Sequence, residues 1–293
     1  INTFIDYAFF KNNKKRIQKL YVEDYNPLKF YKTKLNNGYI SVNHGESYNY
    51  EIHLADANGN TSKLTVPIIG DSSINNFNYN TNKNLNKFNL IETKKDYEFD
   101  FIDAKVSIPK GAFYKDVLLD ISFKNDTLSI DKDTIPLLKP ITISFNIDRY
   151  NDSIKDRLFV GKLSQNNKIL SYSYTMDVLN NKKSTTKSLG NYMIGLDTIN
   201  PSISPIGFKQ NDWISDFTNL KIKVKDNESG IRKYNGWIND KWILFELNTK
   251  KGVLVYDFYD NVIKEAKNNL YIEVIDNVGN ISKYKTIFYR KPN

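Results

Sequence analysis

Tyr271–Arg290, YIEVIDNVGNISKYKTIFYR, is the stretch whose reading decides the fold. Leu270, Ile272 and Val274 alternate with Tyr271, Glu273 and Ile275, the period of two that gives a strand one buried face. Asp276-Asn277-Val278-Gly279-Asn280 follows, residues that tolerate positive φ and hydrogen-bond their own backbone. A second strand over Ser282–Tyr289 completes a hairpin. The signature occurs once more. Glu51–Val66 reads EIHLADANGNTSKLTV, with Asp56, Gly59, Asn60 and Ser62 at the places of Asp276, Gly279, Asn280 and Ser282. Two distant copies predict two β-sandwich modules of one type with other structure between them.

Bulk properties fit that reading. The chain has 293 residues, room for two or three domains, and its 40% hydrophobic and 26% charged content suits a folded protein. The 20 Tyr and 17 Phe favour strands. With no cysteine, disulfides, thiolate catalysis and cysteine-ligated zinc are all excluded. The net charge of +9 is spread thinly, many lysines alternating with apolar residues as in Lys221, Lys223 and Lys225. That is the pattern of a solvated sheet face. Lys11, Lys14, Lys15 and Arg16 form the one local basic cluster, and no nucleic-acid-binding motif accompanies it. No apolar run is long enough to cross a bilayer and no signal peptide is present. The chain begins with Ile rather than Met, which predicts a mature product or a fragment of something larger.

Four segments follow from the pattern. Residues 1–70 carry strand candidates at Leu20/Val22, Tyr39–Val42, Tyr48–Leu54 and Leu64–Ile68, a β-sandwich expected to lack strands at its N-terminus. Residues 71–96 are an asparagine-rich linker. Residues 97–198 form a middle sandwich, with Ile141, Ile143, Phe145 and Ile147 on one strand face. Residues 199–293 form a C-terminal immunoglobulin-like domain in which Asn239-Asp240 turns a hairpin between Trp237 and Trp242, with a short helical turn around Val262–Lys267. The fold class is therefore all-β, three consecutive antiparallel sandwiches.

Candidate sites are sparse. His44 and His53 have no zinc-motif spacing and read as structural. Asp56-Ala57-Asn58-Gly59-Asn60 begins like a calcium loop, but Thr61 and Pro67 stand where such a loop needs Gly and Glu. A hairpin turn held by Asx hydrogen bonds is the expectation there, and at Asp226–Gly230 and Asp276–Asn280. Trp213, Trp237 and Trp242 could form a sugar- or partner-binding surface, although in a sandwich tryptophan is more often core, and packing is the expectation. No serine or acidic residue stands in a nucleophile or paired-carboxylate pattern, so no catalytic residue, metal ligand or cofactor is assigned to this chain. The triplets Asp126-Thr127-Leu128, Asp133-Thr134-Ile135, Asp152-Ser153-Ile154 and Asp197-Thr198-Ile199 resemble the acceptor triplet of the general O-glycosylation system of some Gram-negative bacteria. That resemblance makes Thr127, Thr134, Ser153 and Thr198 candidate glycosylation sites.

Longer motifs carry a wider resemblance. Asp226–Ile231 (DNESGI), Trp237–Glu246 (WINDKWILFE), Asp276–Ser282 (DNVGNIS) and Phe288-Tyr289-Arg290 together resemble the C-terminal domain of lysostaphin-type zinc metallopeptidases of the Gram-negative cell envelope. Ser107–Phe113 (SIPKGAF) resembles the entry of a zonula-occludens/netrin-receptor type β domain, and Leu189–Pro201 (LGNYMIGLDTINP) the junction into the last domain. Ile1–Tyr7, Arg16–Tyr21 and Asp56–Ser62 resemble the first accessory domain. That family binds zinc through a His and an Asp in one motif and a His-x-His pair in another, and neither motif is present. The resemblance therefore implies a non-catalytic accessory region acting in the periplasm or at the outer-membrane surface, with zinc only in the parent protein. Its partners would be an envelope protein complex or the remaining N-terminal part of the same protein. A carbohydrate- or peptidoglycan-binding adhesin-like module, and a piece of an active peptidoglycan endopeptidase whose zinc domain lies outside this chain, are the alternatives.

Overall fold

Alternating burial along the chain is realised in a computed structural model that describes residues 4–23, 25–29, 31–32, 35–71, 88–164, 170–260, 262–264 and 266–291. Strand dominates at 49% against 6% helix, and every named strand pair is antiparallel, so the fold is all-β and of sandwich type. Among the described residues no helix is long and apolar enough to cross a membrane. The chain divides into two compact units: residues 1–93 with 113–120 and 133–136, and residues 94–112 with 121–132 and 137–293.

The first unit departs from the expected sandwich. Its described residues hold the helix Tyr7–Asn13, a two-stranded ribbon, Ser47–Ala55 paired with Thr61–Ile69, and one short strand pair besides. The helix follows from local chemistry: Asp6 caps it by accepting the Phe9 amide at 2.9 Å, and Lys14 ends it in the left-handed region. Leu20–Val22 and Tyr39–Val42 lie outside strands. On the ribbon, Leu54 and Leu64 are 65% and 58% exposed, because among the described residues no second sheet covers the apolar face. The region expected to be a linker also contributes order. Asn89–Ile91 pairs with Val117–Leu119, and the Thr93 amide and hydroxyl both donate to Asp116 (2.8 and 3.1 Å). The core of the assigned linker, 72–87, lies outside the described residues.

Two sandwiches make up the second unit. In the first, one five-stranded sheet runs Leu170–Tyr172, Leu158–Leu163, Gly190–Leu196, Thr127–Ile130, Ile121–Lys124. The other runs Thr175–Val178, Asn181–Thr186, Ile141–Asn146, Ala104–Ile108, Tyr97–Asp100. Ile141, Ile143 and Phe145 are buried and alternate with partly exposed residues, as the period of two requires. Residues 113–120 and 133–136, read as part of this sandwich, cluster with the first unit instead.

The last sandwich pairs the sheet Ser202–Pro205, Asn219–Lys225, Val253–Asp257, Glu246–Asn248 with the sheet Lys241–Ile243, Ile231–Ile238, Ala266–Asp276, Ile281–Arg290. Leu220, Ile222 and Val224 from one sheet meet Ile238, Leu270, Ile272, Val274 and Phe288 from the other in one core. No helical turn forms at 262–264, and the strand starts at Ala266. Buried Asn268 explains this: its Oδ1 accepts the Lys264 amide (2.8 Å) and its Nδ2 donates to the Lys264 and Ala266 carbonyls (2.9 and 3.2 Å). Backbone groups that a helix would pair with each other are held by one side chain.

Candidate functional site

The Asp/Asn/Gly turns adopt one geometry. Asp56 Oδ1 accepts the amides of Asn58 and Asn60, both at 2.9 Å, and Asp276 Oδ1 accepts those of Val278 and Asn280 at 3.0 and 2.8 Å. In each turn the asparagine Nδ2 donates to the second carboxylate oxygen at 2.7 Å. The oxygens that a calcium reading would use are thus turned onto their own loop.

Long-range folding adds what the local pattern did not suggest. Carboxylate atoms of Asp197, Asp226 and Asp276 come within 4.8 Å of one another, the one such acidic, histidine or cysteine cluster among the described residues. Each already accepts backbone amides. Asp197 takes those of Ile199 and Ser229 (both 3.0 Å), and Asp226 those of Glu228 and Gly230 (3.1 and 2.5 Å). Burial, opposed by the Gly230 hydrogen bond and reinforced by the Asp197 and Asp276 charges, raises the Asp226 carboxyl above its ordinary value. Asn280 Nδ2 also donates to the Asp197 carbonyl, and Arg157 Nη1 donates to the Val278 carbonyl at 2.8 Å. These contacts fasten the end of one sandwich to the loops of the next, and the trio reads as a structural junction.

The tryptophans overturn the expectation that they fill a core. Trp213 and Trp242 are 60% and 56% exposed, and Trp237 is half-buried. Asn239 and Asp240, both at positive φ, make the two-residue hairpin turn, and the resulting register sets Trp237 opposite Trp242. On its other side Trp237 lies opposite Tyr271, and Tyr271 opposite Lys285. A single row, Trp242–Trp237–Tyr271–Lys285, therefore crosses the outer face of the sheet whose inner face is core. Trp237 and Tyr271 stack with ring centroids 5.1 Å apart and planes 27° apart, and Lys285 Nζ stands 5.4 Å from the Tyr271 ring centre. At the sheet edge Trp213 bridges to Tyr289, their rings 5.4 Å apart. Gly236 matters here: a Cβ on it would lie 2.3 Å from the Phe245 ring, which packs beneath this strand.

A shallow depression of about 680 Å³ opens beside the row, lined by Trp237, Tyr271, Gln210, Asp240, Asn269 and Lys285 among others. Sequence reasoning singled out Trp213, Trp237 and Trp242 but missed Tyr271, Lys285 and the polar rim. The available signal was parity, since Tyr271 shares the outward positions of its strand with Glu273 and Ile275.

Other candidates are dispersed. His44 and His53 are exposed, and His53 Nε2 lies 3.0 Å from Glu51. Of the modification candidates, Ser153 and Thr198 are exposed, and the Ser153 hydroxyl bonds Asn151 Oδ1 at 2.9 Å. Thr127 is half-buried after the positive-φ turn Asn125-Asp126. Thr134 lines a cavity of about 370 Å³ in the first unit with Tyr7, Tyr21, Tyr114 and the ion pair Lys19–Glu23 (2.8 Å).

Comparison with known proteins gives little beyond one domain. The family model of the Zu5-like domain matches residues 89–197, about a third of the chain. No curated protein matches. Among solved structures, the X-ray structure of the endo-beta-1,4-mannanase from Thermotoga petrophila aligns at 16% identity and a TM-score of 0.29, over 33% of this chain and 21% of that one. That likeness is too remote to carry an argument, and the chain spans only about a fifth of that enzyme's length.

Proposed function

We propose that this chain is a non-enzymatic docking region of a larger cell-envelope protein of the lysostaphin-metallopeptidase type, holding its parent at a site in the periplasm or on the outer membrane. The observation that carries this reading is the aromatic row Trp242–Trp237–Tyr271 on the outer face of the C-terminal sandwich. Large aromatic side chains left on a sheet face whose other side is fully packed lower the cost of binding a partner, and patches of this kind rimmed by polar groups mark interaction sites. The Asp197 junction supports the reading, since it ties the aromatic sandwich to its neighbour through side chain–backbone bonds rather than a free tether.

Fractionating cells of the source organism and detecting this chain tests the localisation, which is expected in the envelope fraction. Recovery in the soluble cytoplasmic fraction would contradict it. The purified chain incubated with zinc and peptidoglycan is expected to release no soluble fragments. Zinc-dependent release by this chain alone would overturn the non-enzymatic reading.

A further inference from the structure

The aromatic face also carries the chemistry of a particular ligand class, an inference that rests on the docking reading above. Trp237 and Tyr271 stack on each other, Trp242 beside them is exposed, and among the described residues the side chains of Gln210, Asp240 and Asn269 make no hydrogen bond or ion pair. Uncommitted amide and carboxylate groups next to an exposed π-face suit a ring that is apolar on its face and hydroxylated at its edge, as a pyranose is. A peptide helix would instead seek a continuous apolar groove, and here Gln210, Asp240, Asn269, Lys285 and Thr286 interrupt the apolar lining.

Charge narrows the class. On the outward strand positions Glu273 is engaged, lying 3.8 Å from Lys283 and 3.3 Å from the Tyr271 hydroxyl, whereas Lys233, Lys267 and Lys285 have no ion pair among the described residues. Asp240 is the one uncommitted carboxylate lining the depression. The face therefore has a surplus of free positive charge, and the cation nearest the stack, Lys285, belongs to the same cross-strand row.

We propose that this face binds an acidic glycan. Its pyranose rings pack on the row at Trp242 and Trp237, which Tyr271 backs, its hydroxyls bond Gln210, Asn269 and Asp240, and its carboxylates pair with Lys285, with Lys233 and Lys267 extending the track along the sheet.

The test titrates the intact chain with three probes, following tryptophan fluorescence and calorimetry. The probes are oligogalacturonate, the same oligomer fully methyl-esterified, and polyaspartate. Oligogalacturonate is expected to bind saturably, about tenfold more tightly than the ester, and more weakly as salt is added. Trp237→Ala and Tyr271→Ala should each weaken binding by about tenfold or more. Lys285→Gln, a surface change that leaves the stack in place, should remove the preference for acid over ester while ester binding persists.

Binding of polyaspartate as tight as that of the sugar and unchanged by Trp237→Ala would mean bare charge attraction and overturn the proposal. Equal binding of acid and ester would overturn its acidic part, and no saturable binding of either would overturn it entirely. The underlying reading is checked separately by retention of the chain on isolated envelopes. If Trp237→Ala abolishes retention while no oligosaccharide binds, the glycan inference falls and the docking reading stands. If retention survives loss of both rings, the docking reading falls as well.

Discussion

Asn280 Nδ2 donates to the main-chain oxygen of Asp197 at 3.1 Å, joining residues 83 positions apart in sequence. The Asp197 carboxylate in turn accepts the Ser229 amide, so one aspartate receives loops from two parts of the C-terminal sandwich. Asp197→Ala leaves a buried amide without its acceptor and should cost about 1–3 kcal/mol. Urea unfolding is expected to show a lower midpoint for the second unit, and to split into two transitions if the two sandwiches then melt apart. An unchanged midpoint would show that the junction contributes nothing to stability.

Asp226 sets the pH dependence of that junction. Its folded-state pKa is raised, chiefly by burial and then by Asp197 and Asp276, so the folded chain holds this proton more tightly than the unfolded chain. The contribution is fully present below the ordinary carboxylate range and is lost as pH rises through the raised value. Asp226→Asn keeps a side-chain oxygen for the Glu228 and Gly230 amides and removes the repulsion. It should raise the melting midpoint at neutral pH, and this advantage over the wild type should shrink as the solution is acidified toward the ordinary carboxylate pKa. An advantage that does not vary with pH would argue that Asp226 is not ionised against its neighbours.

Arg290 holds the entry segment of the last sandwich. Its Nη1 donates to the carbonyls of Ile214, Ser215 and Phe217 at 2.8, 3.1 and 2.7 Å, and its guanidinium lies 3.9 Å from the Phe258 ring centre. Burial lowers its pKa, which registers the cost of placing this charge inside. Arg290→Met keeps the aliphatic stem and strands three carbonyls, for an expected loss of about 2–4 kcal/mol in chemical denaturation. A loss below about 0.5 kcal/mol, the size of an ordinary surface change, would contradict this role.

Gly236 tests the support beneath the aromatic row. Alanine there would push a methyl group into the Phe245 ring, and overpacking of this kind costs about 1–3 kcal/mol. Gly236→Ala should lower the melting midpoint and alter near-ultraviolet dichroism from Trp237 and Trp242. A neutral result would mean that Phe245 relaxes freely under the strand.

How much of this was legible in the sequence depends on the range of the interaction. The Ile141/Ile143/Phe145 alternation and the Asp276 hairpin are local, and both appear where the pattern puts them. Helix Tyr7–Asn13 has a local signal too, the capping Asp6, but it lies outside the period-two pattern that marks the strands. The direction of the tryptophans was half readable. Asn239-Asp240 fixes Trp237 against Trp242, yet only the pairing of Trp237 with Tyr271, 34 positions on, shows that the row continues. The Asp197–Asp226–Asp276 trio had no local trace, because three separate turns converge only when the two sandwiches meet.

The central claim is that the outer aromatic face of the last sandwich holds this chain on its envelope target. The most direct measurement is the concentration dependence of co-sedimentation with isolated envelopes of the source organism, for the wild type and a Trp237→Ala/Tyr271→Ala double variant shown by circular dichroism to be folded. The account predicts saturable retention of the wild type, and retention of the variant at least about tenfold weaker. Superimposable curves for the two proteins would contradict it.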